Sequence, residues 1–559
     1  MTDLSVSRPP GARRADIASL LLDRLGDERL GLRTRERDWT WDAVVRESAA
    51  RAELARALRR DGPFHIGVLL DNVPDFVFWL GAAALAGATV VGINPTRGNA
   101  QLEADIRYVD CQLIVTDAPG MARLEALDLG LDPDRFLLVD DPAYTESLIA
   151  HATEPVAHAG AEALLLLLFT SGTTGASKAV KCTQRRLAML GYAASDKFGH
   201  IREDVDYCCM PLFHGNAIMA LWAPALVNGA TVCLTPKFSA TGFLSDIRYF
   251  GATFFTYVGK ALGYLLATPA TPQDAGTTLV RGFGTEASVA DQAEFRRRFG
   301  AELFEGYGSS EGPALAALDP AAPAAALGRP AHPGVAVVNA DTLEDCPRAI
   351  LDGYGRVLNP DEAVGEMVDK AGAMVFEGYY KNDAADAERL RNGWYWTGDL
   401  GYVDEAGFLY FGGRKGDWLR VDGENTSTLS IEQVIRRHPA VIAAAVYGVP
   451  DPRSGDRVMA AIEVADPDAF DVAEFAEFLT AQDDLGSKGA PRLLRVSAGL
   501  PVTGSNKVLK RELQEQRWHT DEALYSWFGR GKPEYEALTD GGKSDLEAEF
   551  ASFGRKHLF

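Results

Sequence analysis

Residues 164–180 read LLLLLFTSGTTGASKAV, and the rest of the chain is best read outward from them. The apolar run 164–169 is short enough to be a buried strand. It ends abruptly in Thr170-Ser171-Gly172-Thr173-Thr174-Gly175, and Lys178 follows. Small, hydroxylated and glycine-rich residues let the backbone turn tightly and expose N–H groups. Hydroxyls, bare amides and one lysine are what a polyphosphate needs. A Walker A loop would need Gly at 177 and Ser or Thr at 179, and Ser177 and Ala179 break that pattern. An ordinary Ser/Thr/Gly turn has the same composition, so this loop alone does not make a nucleotide site.

The flanking sequence places the loop in an α/β pattern. From about 60 to 350, short β-branched runs alternate with amphipathic segments, which predicts parallel sheets. Residues 76–93, FVFWLGAAALAGATVVGI, are eighteen residues without a charge, at the lower edge for a membrane span. Residues 65–70 before them read as a strand, and Asp71-Asn72-Val73-Pro74 is a helix-start signal. Gly87 then ends a helix and 89–93 is a second β-branched run, so strand–helix–strand is the better reading. A helix is expected at 16–26, and a smaller β unit at 328–377. Beyond the glycine-rich turn at 412–417, a helix is expected at 428–437 and a strand at 442–449. The tail 521–559 is polar with scattered aromatics and is expected to be helical.

The chain has 559 residues, long enough for two or more domains. Its net charge of −22 argues against nucleic acid or an anionic membrane as a main partner. The six cysteines (Cys111, Cys182, Cys208, Cys209, Cys233, Cys346) show no CxxC spacing and no histidines cluster with them. That fits a reducing, cytoplasmic compartment and no zinc site. Arg8, Arg13 and Arg14 have no apolar segment behind them, so no signal peptide is expected. Peripheral membrane contact and a homo-oligomer are left open.

Further motifs follow the loop in order. They are Pro211-Leu212-Phe213-His214, Tyr307-Gly308-Ser309-Ser310-Glu311-Gly312, Thr397-Gly398-Asp399-Leu400, Gly413-Arg414 with Asp417, and PVTGSNK at 501–507. Together with TSGTTGASK, these resemble the motif set of adenylate-forming (AMP-binding) enzymes: acyl-CoA synthetases, luciferase-like proteins and peptide-synthetase adenylation domains. The resemblance runs from Asn94-Pro95 to Lys510. It implies a large N-terminal domain (1–413) of parallel-sheet α/β subdomains plus a β-barrel-like subdomain. A hinge at 414–417, a small mobile α/β domain at 418–520 and the tail 521–559 would follow.

The resemblance also implies a reaction. A carboxylate is joined to AMP with release of pyrophosphate, and the mixed anhydride is then attacked by a thiol, usually of coenzyme A. The first step brings two anions together, so the site must neutralise charge and hold both reactants in line. By resemblance, Thr170, Ser171, Gly172, Thr173, Thr174, Gly175 and Lys178 would cradle the β- and γ-phosphates. Glu311 would be a magnesium ligand completed by phosphate and water oxygens. Ser310, where many relatives have Thr, would bond the α-phosphate, next to Gly308 and Ser309. Tyr307 would give one adenine wall and Gly284-Thr285-Glu286 the other. Asp399 would accept the ribose hydroxyls, although an Asp in a TGD turn is elsewhere usually an Asx turn. Arg414 would be a second ribose or phosphate contact, and His214 would line the carboxylate side. Lys507 would bridge carboxylate and α-phosphate oxygens in the first step. Asn506 stands where relatives have Gly, and Asn tolerates a left-handed backbone better than most residues.

The hinge resembles one branch. Relatives commonly carry Asp or Lys two residues after the arginine; here Gly416 stands there and Asp417 follows. The run from Arg414 to Asn425 and Tyr257-Val258-Gly259-Lys260 look like very-long-chain acyl-CoA synthetases and fatty-acid transport proteins, closest to actinobacterial fatty-acid or steroid-side-chain CoA ligases. That implies ATP, magnesium and coenzyme A, with a lipophilic carboxylic acid as substrate. A long-chain fatty acid is the first expectation and a steroid side-chain acid the alternative. Phe213, Tyr257, Val258, Leu262 and Tyr264 are candidates for the acyl pocket wall, with plain core packing as the alternative. Gly423-Glu424-Asn425 would meet coenzyme A. The rivals are an enzyme that loads a carrier protein, a lipid-binding or transport protein that keeps the fold, and a luciferase-like oxygenase.

Overall fold

The computed structural model describes residues 13–558 except 172–176, 313–314, 318, 320, 324, 354, 373–374, 415–416, 422–423, 454, 486–488, 505 and 530. The chain packs as two compact units. Met1–Tyr257, Gly276–Phe283 and Val375–Asp383 form the first; Val258–Ala275, Gly284–Met374 and Ala384–Phe559 form the second. The fold is mixed α/β with parallel sheets.

In the first unit, one sheet has the order Phe136–Leu138, Cys111–Thr116, His65–Leu69, Thr89–Gly92, Leu164–Ser171, Ser177–Thr183. Its first five strands are parallel, and the last turns back antiparallel on Leu164–Ser171. The uncharged window at 76–93 resolves as expected. Helix Pro74–Ala86 has Pro in its first turn and stops at Gly87, whose φ of 72° suits glycine. All residues from Phe76 to Ala86 are buried, so the helix is apolar on every side because it lies inside the unit. Among the described residues no helix is long and apolar enough to cross a membrane. Five neighbouring strands of a seven-stranded second sheet run Phe254–Val258, Val205–Cys208, Thr231–Leu234, Leu30–Arg33, Asp38–Thr40, parallel except for the last strand. The expected helix at 16–26 is shorter, Ile17–Leu22; the Asp16 side chain caps its start by accepting from the Ser19 amide, and Asp23 ends it.

The second unit holds an antiparallel sheet of Val335–Val338, Gly365–Asp369, Trp394–Val403 and Leu390–Arg391, with Leu409–Arg414 paired to Trp394–Val403. Another sheet has the order Val441–Pro450, Asp456–Val464, Leu493–Ser497, Ala523–Ser526, Glu536–Ala537. Its central strands read apolar on both faces, and alternate residues feed different cores. Val446, Val458, Ala460 and Ile462 pack with Ile431 and Phe475, whereas Ala445, Tyr447, Met459 and Ala461 pack with Leu513, Trp518 and Phe550. Helix Thr428–Ile435 and strand Val441–Pro450 fall where the sequence predicts them. The tail differs from expectation. Strands Ala523–Ser526 and Glu536–Ala537 precede its helix Asp540–Ser552, since Leu493–Ser497 leaves a sheet edge that Ala523–Ser526 fills.

Candidate active site

The first unit carries the glycine-rich loop and the His214 turn. Thr170 pairs with Lys178 and Ser171 with Ser177, so the two strands run up to either side of residues 172–176. Gly172, Thr173, Thr174 and Gly175 lie outside the described residues, as does the side chain of Ser171. Lys178 is buried, and its ammonium lies 5.4 Å from the centre of the Tyr379 ring. The outer strand is held by the return segment: the Lys181 amide donates to Gly378 O (3.0 Å), and the Tyr380 amide to Ala179 O (2.8 Å).

Strand Leu164–Ser171 is the parallel neighbour of Thr89–Gly92, so Ser171 and Gly92 end two adjacent strands at the same, carboxyl edge. That edge is where open α/β sheets bind ligands. Gly92 is required there by close approach, since a Cβ would sit 2.6 Å from Phe213 O. Phe213-His214 thus rests on the strand end. Buried Asn72 fixes the same turn, donating to Met210 O (2.9 Å) and accepting from the Leu212 amide (2.8 Å). Sequence reading used Asn72 only as a helix-start signal; nothing in the spacing showed that its amide would clamp the His214 turn. His214 caps the short turn Gly215–Ala217 through Nδ1, which accepts from the Asn216 amide at 3.5 Å. Tyr257 is fully buried, its ring 5.5 Å from that of Phe255.

The second unit brings together Tyr307, Asp399 and Arg414. Asp399 lies opposite Arg414 in the antiparallel register. Its carboxylate accepts from the Tyr307 phenol at 2.6 Å and from Arg414 Nε at 3.3 Å. Asp399 therefore serves a tertiary cluster as well as its own turn, and the turn is built by Thr397, whose Oγ1 accepts from the Asp399 amide. Burial first, then the Asp399 carboxylate, push the Tyr307 phenol well above its ordinary pKa, so it stays a donor. Its ring lies 6.0 Å from that of Phe411. In the following turn, Ser309 Oγ accepts from the Gly312 amide (3.0 Å), and Glu311 beside Ser310 is buried. Among the described residues no three His, Cys, Asp or Glu side chains cluster as a metal site. Magnesium, which takes one or two carboxylates plus phosphate and water oxygens, is compatible with a single carboxylate such as that of Glu311.

The Gly306 amide donates to Gly284 O (3.0 Å), fixing the end of strand Arg281–Thr285. Glu286 follows with φ 72°, a left-handed backbone uncommon for Glu. Its carboxylate pairs with Lys507 Nζ at 2.7 Å, both side chains about half exposed (51% and 41%). Lys507 closes a hairpin loop in which the Thr503 amide donates to Lys507 O (2.7 Å) and the Asn506 amide to Thr503 O (2.9 Å). Asn506 has φ 62°, the left-handed backbone that its side chain tolerates.

At the proposed hinge, Asp417 accepts from the Arg414 amide (2.9 Å) and from Lys510 Nζ (3.2 Å). Lys510 also pairs with Glu432 at 2.7 Å. Burial lowers the Lys510 pKa, but Glu432 and Asp417 more than offset it, so the ammonium is held above its ordinary range. The sequence places Lys510 at the end of the matched stretch and assigns it no role. Gly416 and Gly423 lie outside the described residues, and so do the side chains of Glu424 and Asn425, whose backbone forms strand Glu424–Ser427. Val258 and Leu262 are buried, and the Tyr264 phenol hydrogen-bonds Glu463.

Comparison with known proteins accords with this geometry. The chain is 70% identical over 548 residues to a steroid-22-oyl-CoA synthetase of Rhodococcus jostii, covering 98% of this chain and 99% of the relative. It is 44% identical over 480 residues to a medium/long-chain-fatty-acid–CoA ligase of Mycobacterium tuberculosis, covering 85% and 91%. In fold it is similar to the anthranilate CoA ligase AuaEII in complex with anthranoyl-AMP, with a TM-score of 0.80 at 19% identity, covering 90% of this chain and 98% of that one. The description "AMP-binding enzyme" fits residues 27–380 and "AMP-binding enzyme C-terminal domain" fits residues 430–507. By these matches, this chain belongs to the AMP-binding enzyme family.

Proposed function

We propose that the protein is an ATP-dependent acyl-CoA synthetase that activates a steroid acid through an acyl-adenylate and then forms the coenzyme A thioester. What carries the reading is the 70% identity, over 98% of the chain, to a protein named steroid-22-oyl-CoA synthetase. A long-chain fatty acid, first in the sequence-based order, becomes the second reading, supported by the 44% identity to a fatty-acid–CoA ligase.

In this mechanism Thr170 and Lys178 flank the triphosphate loop, Thr170 offering a hydroxyl donor and Lys178 the positive charge that offsets the phosphates. Tyr307 and Arg414 hold the Asp399 carboxylate in one orientation, so it can accept from two neighbouring ribose hydroxyls without first reorganising. Ser310 donates to the α-phosphate. Glu311 would hold magnesium, which when bound draws charge from the phosphate oxygens. Lys507 leaves Glu286 to meet the negative charge that builds up as carboxylate oxygen attacks phosphorus. His214 orients the carboxylate. Residues 414–417 act as the pivot that exchanges Lys507 for the Gly423-Glu424-Asn425 segment when coenzyme A attacks.

The test is AMP formation with coenzyme A across a panel of carboxylates: steroid acids with a side-chain carboxyl at carbon 22, longer steroid side-chain acids, and fatty acids of graded length. The steroid-22-oate should show the highest kcat/KM. A fatty acid at the top of the panel would restore the second reading. Pyrophosphate release without thioester formation would point to a carrier protein as acceptor.

A further inference from the structure

The helix Gly259–Leu266 touches Glu286, the partner of Lys507, and the root of the hairpin that carries Lys507. At its start, Gly259 lies against Glu286: a Cβ there would be 2.1 Å from Glu286 O. Arg436 Nη1 donates to that same oxygen at 3.2 Å. One residue on, Lys260 is buried. Its ammonium pairs with Glu463 Oε2 at 2.8 Å, with side-chain exposures of 4% and 3%, and donates to Leu500 O at 3.2 Å. Glu463 Oε2 in turn accepts from the Leu500 amide at 3.0 Å. Both main-chain polar groups of Leu500 are therefore held by one buried ion pair.

Leu500 roots the hairpin that carries Lys507. The Leu509 amide donates to Pro501 O (2.8 Å), Val502 bridges Val508, and the Thr503 amide closes on Lys507 O. A displacement at Leu500 is carried along this ladder to the lysine. Burying such a pair is not a general route to stability, because an apolar pair of similar volume does as well or better. The pair's distinct contribution is directional: two charge-assisted bonds fix the Leu500 peptide in a way that methyl groups cannot.

We propose that Lys260, acting with Glu463 through Leu500, is a positioning residue for Lys507. The inference rests on the role of Lys507 under the proposed function. Lys260→Met alone strands a buried carboxylate and risks misfolding, so the test is the double variant Lys260→Met/Glu463→Met, with Glu463→Gln as the conservative control that keeps an acceptor for the Leu500 amide. In the double variant, pyrophosphate release should fall by about 10²-fold, the scale of a roughly 1 Å misplacement. Thioester formation from supplied acyl-adenylate should change less than about twofold, well below one decade of rate. Glu463→Gln should recover most of the first step. Independently of turnover, amide hydrogen exchange at Leu500 and Lys507 should quicken relative to strand Leu493–Ser497. Equal losses in the two steps, or adenylation at the wild-type rate, would overturn the proposal. So would unchanged exchange at Leu500. Should the wild-type protein release no pyrophosphate with any acid, the functional reading fails, and the exchange measurement still decides whether the pair positions the hairpin.

Discussion

Lys507 and Lys510 stand three residues apart at one hairpin, and the structure treats them in opposite ways. Lys507 sits in the closing loop and pairs with a half-exposed Glu286. Lys510 begins helix Lys510–Gln516 and is 24% exposed, between Glu432 (13%) and Asp417 (19%). An exposed pair contributes about 0–1 kcal/mol, because water and side-chain entropy cancel most of the Coulomb gain. Removing one partner of a buried pair costs about 3–5 kcal/mol, because the other charge is left desolvated. One lysine is therefore cheap to release and the other is fixed, as expected of a group that must change partners beside one that must not.

Four substitutions sharpen or break that contrast. Lys510→Met should have the largest effect on stability, lowering unfolding free energy in urea by about 2 kcal/mol, less than for a fully buried pair, since Glu432 and Asp417 lose the cation between them but keep amide donors. A loss below about 1 kcal/mol would mean that solvent already screens the cluster. Lys507→Ala should change stability by less than about 1 kcal/mol, yet slow pyrophosphate release by about 10²-fold, or about 2.7 kcal/mol of activation energy. Thioester formation from supplied acyl-adenylate should be largely retained, and equal losses in both half-reactions would break the assignment. Asp399→Ala should raise the KM for ATP by about tenfold, near 1.4 kcal/mol, through loss of a charge-assisted bond. An unchanged KM would mean that the nucleotide does not use this carboxylate. Asn506→Gly should be smallest, within about 0.5 kcal/mol by thermal unfolding, because glycine meets the left-handed φ freely but loses more entropy on folding. A larger drop would show that the Asn506 side chain, and not its backbone, holds the loop.

What the sequence made legible follows from how local each feature is. The strand–helix–strand at 65–92 was readable because Pro74, Gly87 and the β-branched runs act within a few residues. Asn506 was readable for the same reason: left-handed tolerance belongs to one residue. The tail, expected to be helical, is so only over Asp540–Ser552, because strand Ala523–Ser526 fills an edge built by distant Leu493–Ser497 and its own residues carry no signal of that edge. Within the site, motif order picked out Tyr307, Asp399 and Arg414, but not that the tyrosine phenol would bond the aspartate 92 positions away. Lys260, Glu463, Glu432 and Lys510 stayed hidden because a charged residue in a sequence reads as solvated until a partner far along the chain buries it.

The open position of the Lys507–Glu286 pair makes the electrolyte a selective lever. The Debye length shrinks from about 10 Å at 0.1 M salt to about 3 Å at 1 M, and groups in contact with water feel this most. Lys260–Glu463 is nearly sealed from solvent, so the root of the hairpin should ignore added potassium chloride while its loop responds. The coupling energy between Lys507→Ala and Glu286→Gln in a double-mutant cycle should fall toward zero at 1 M, with amide hydrogen exchange at Leu500 unchanged over the same range. Ionic strength would then loosen the lysine from its resting partner and leave the mount beneath it in place.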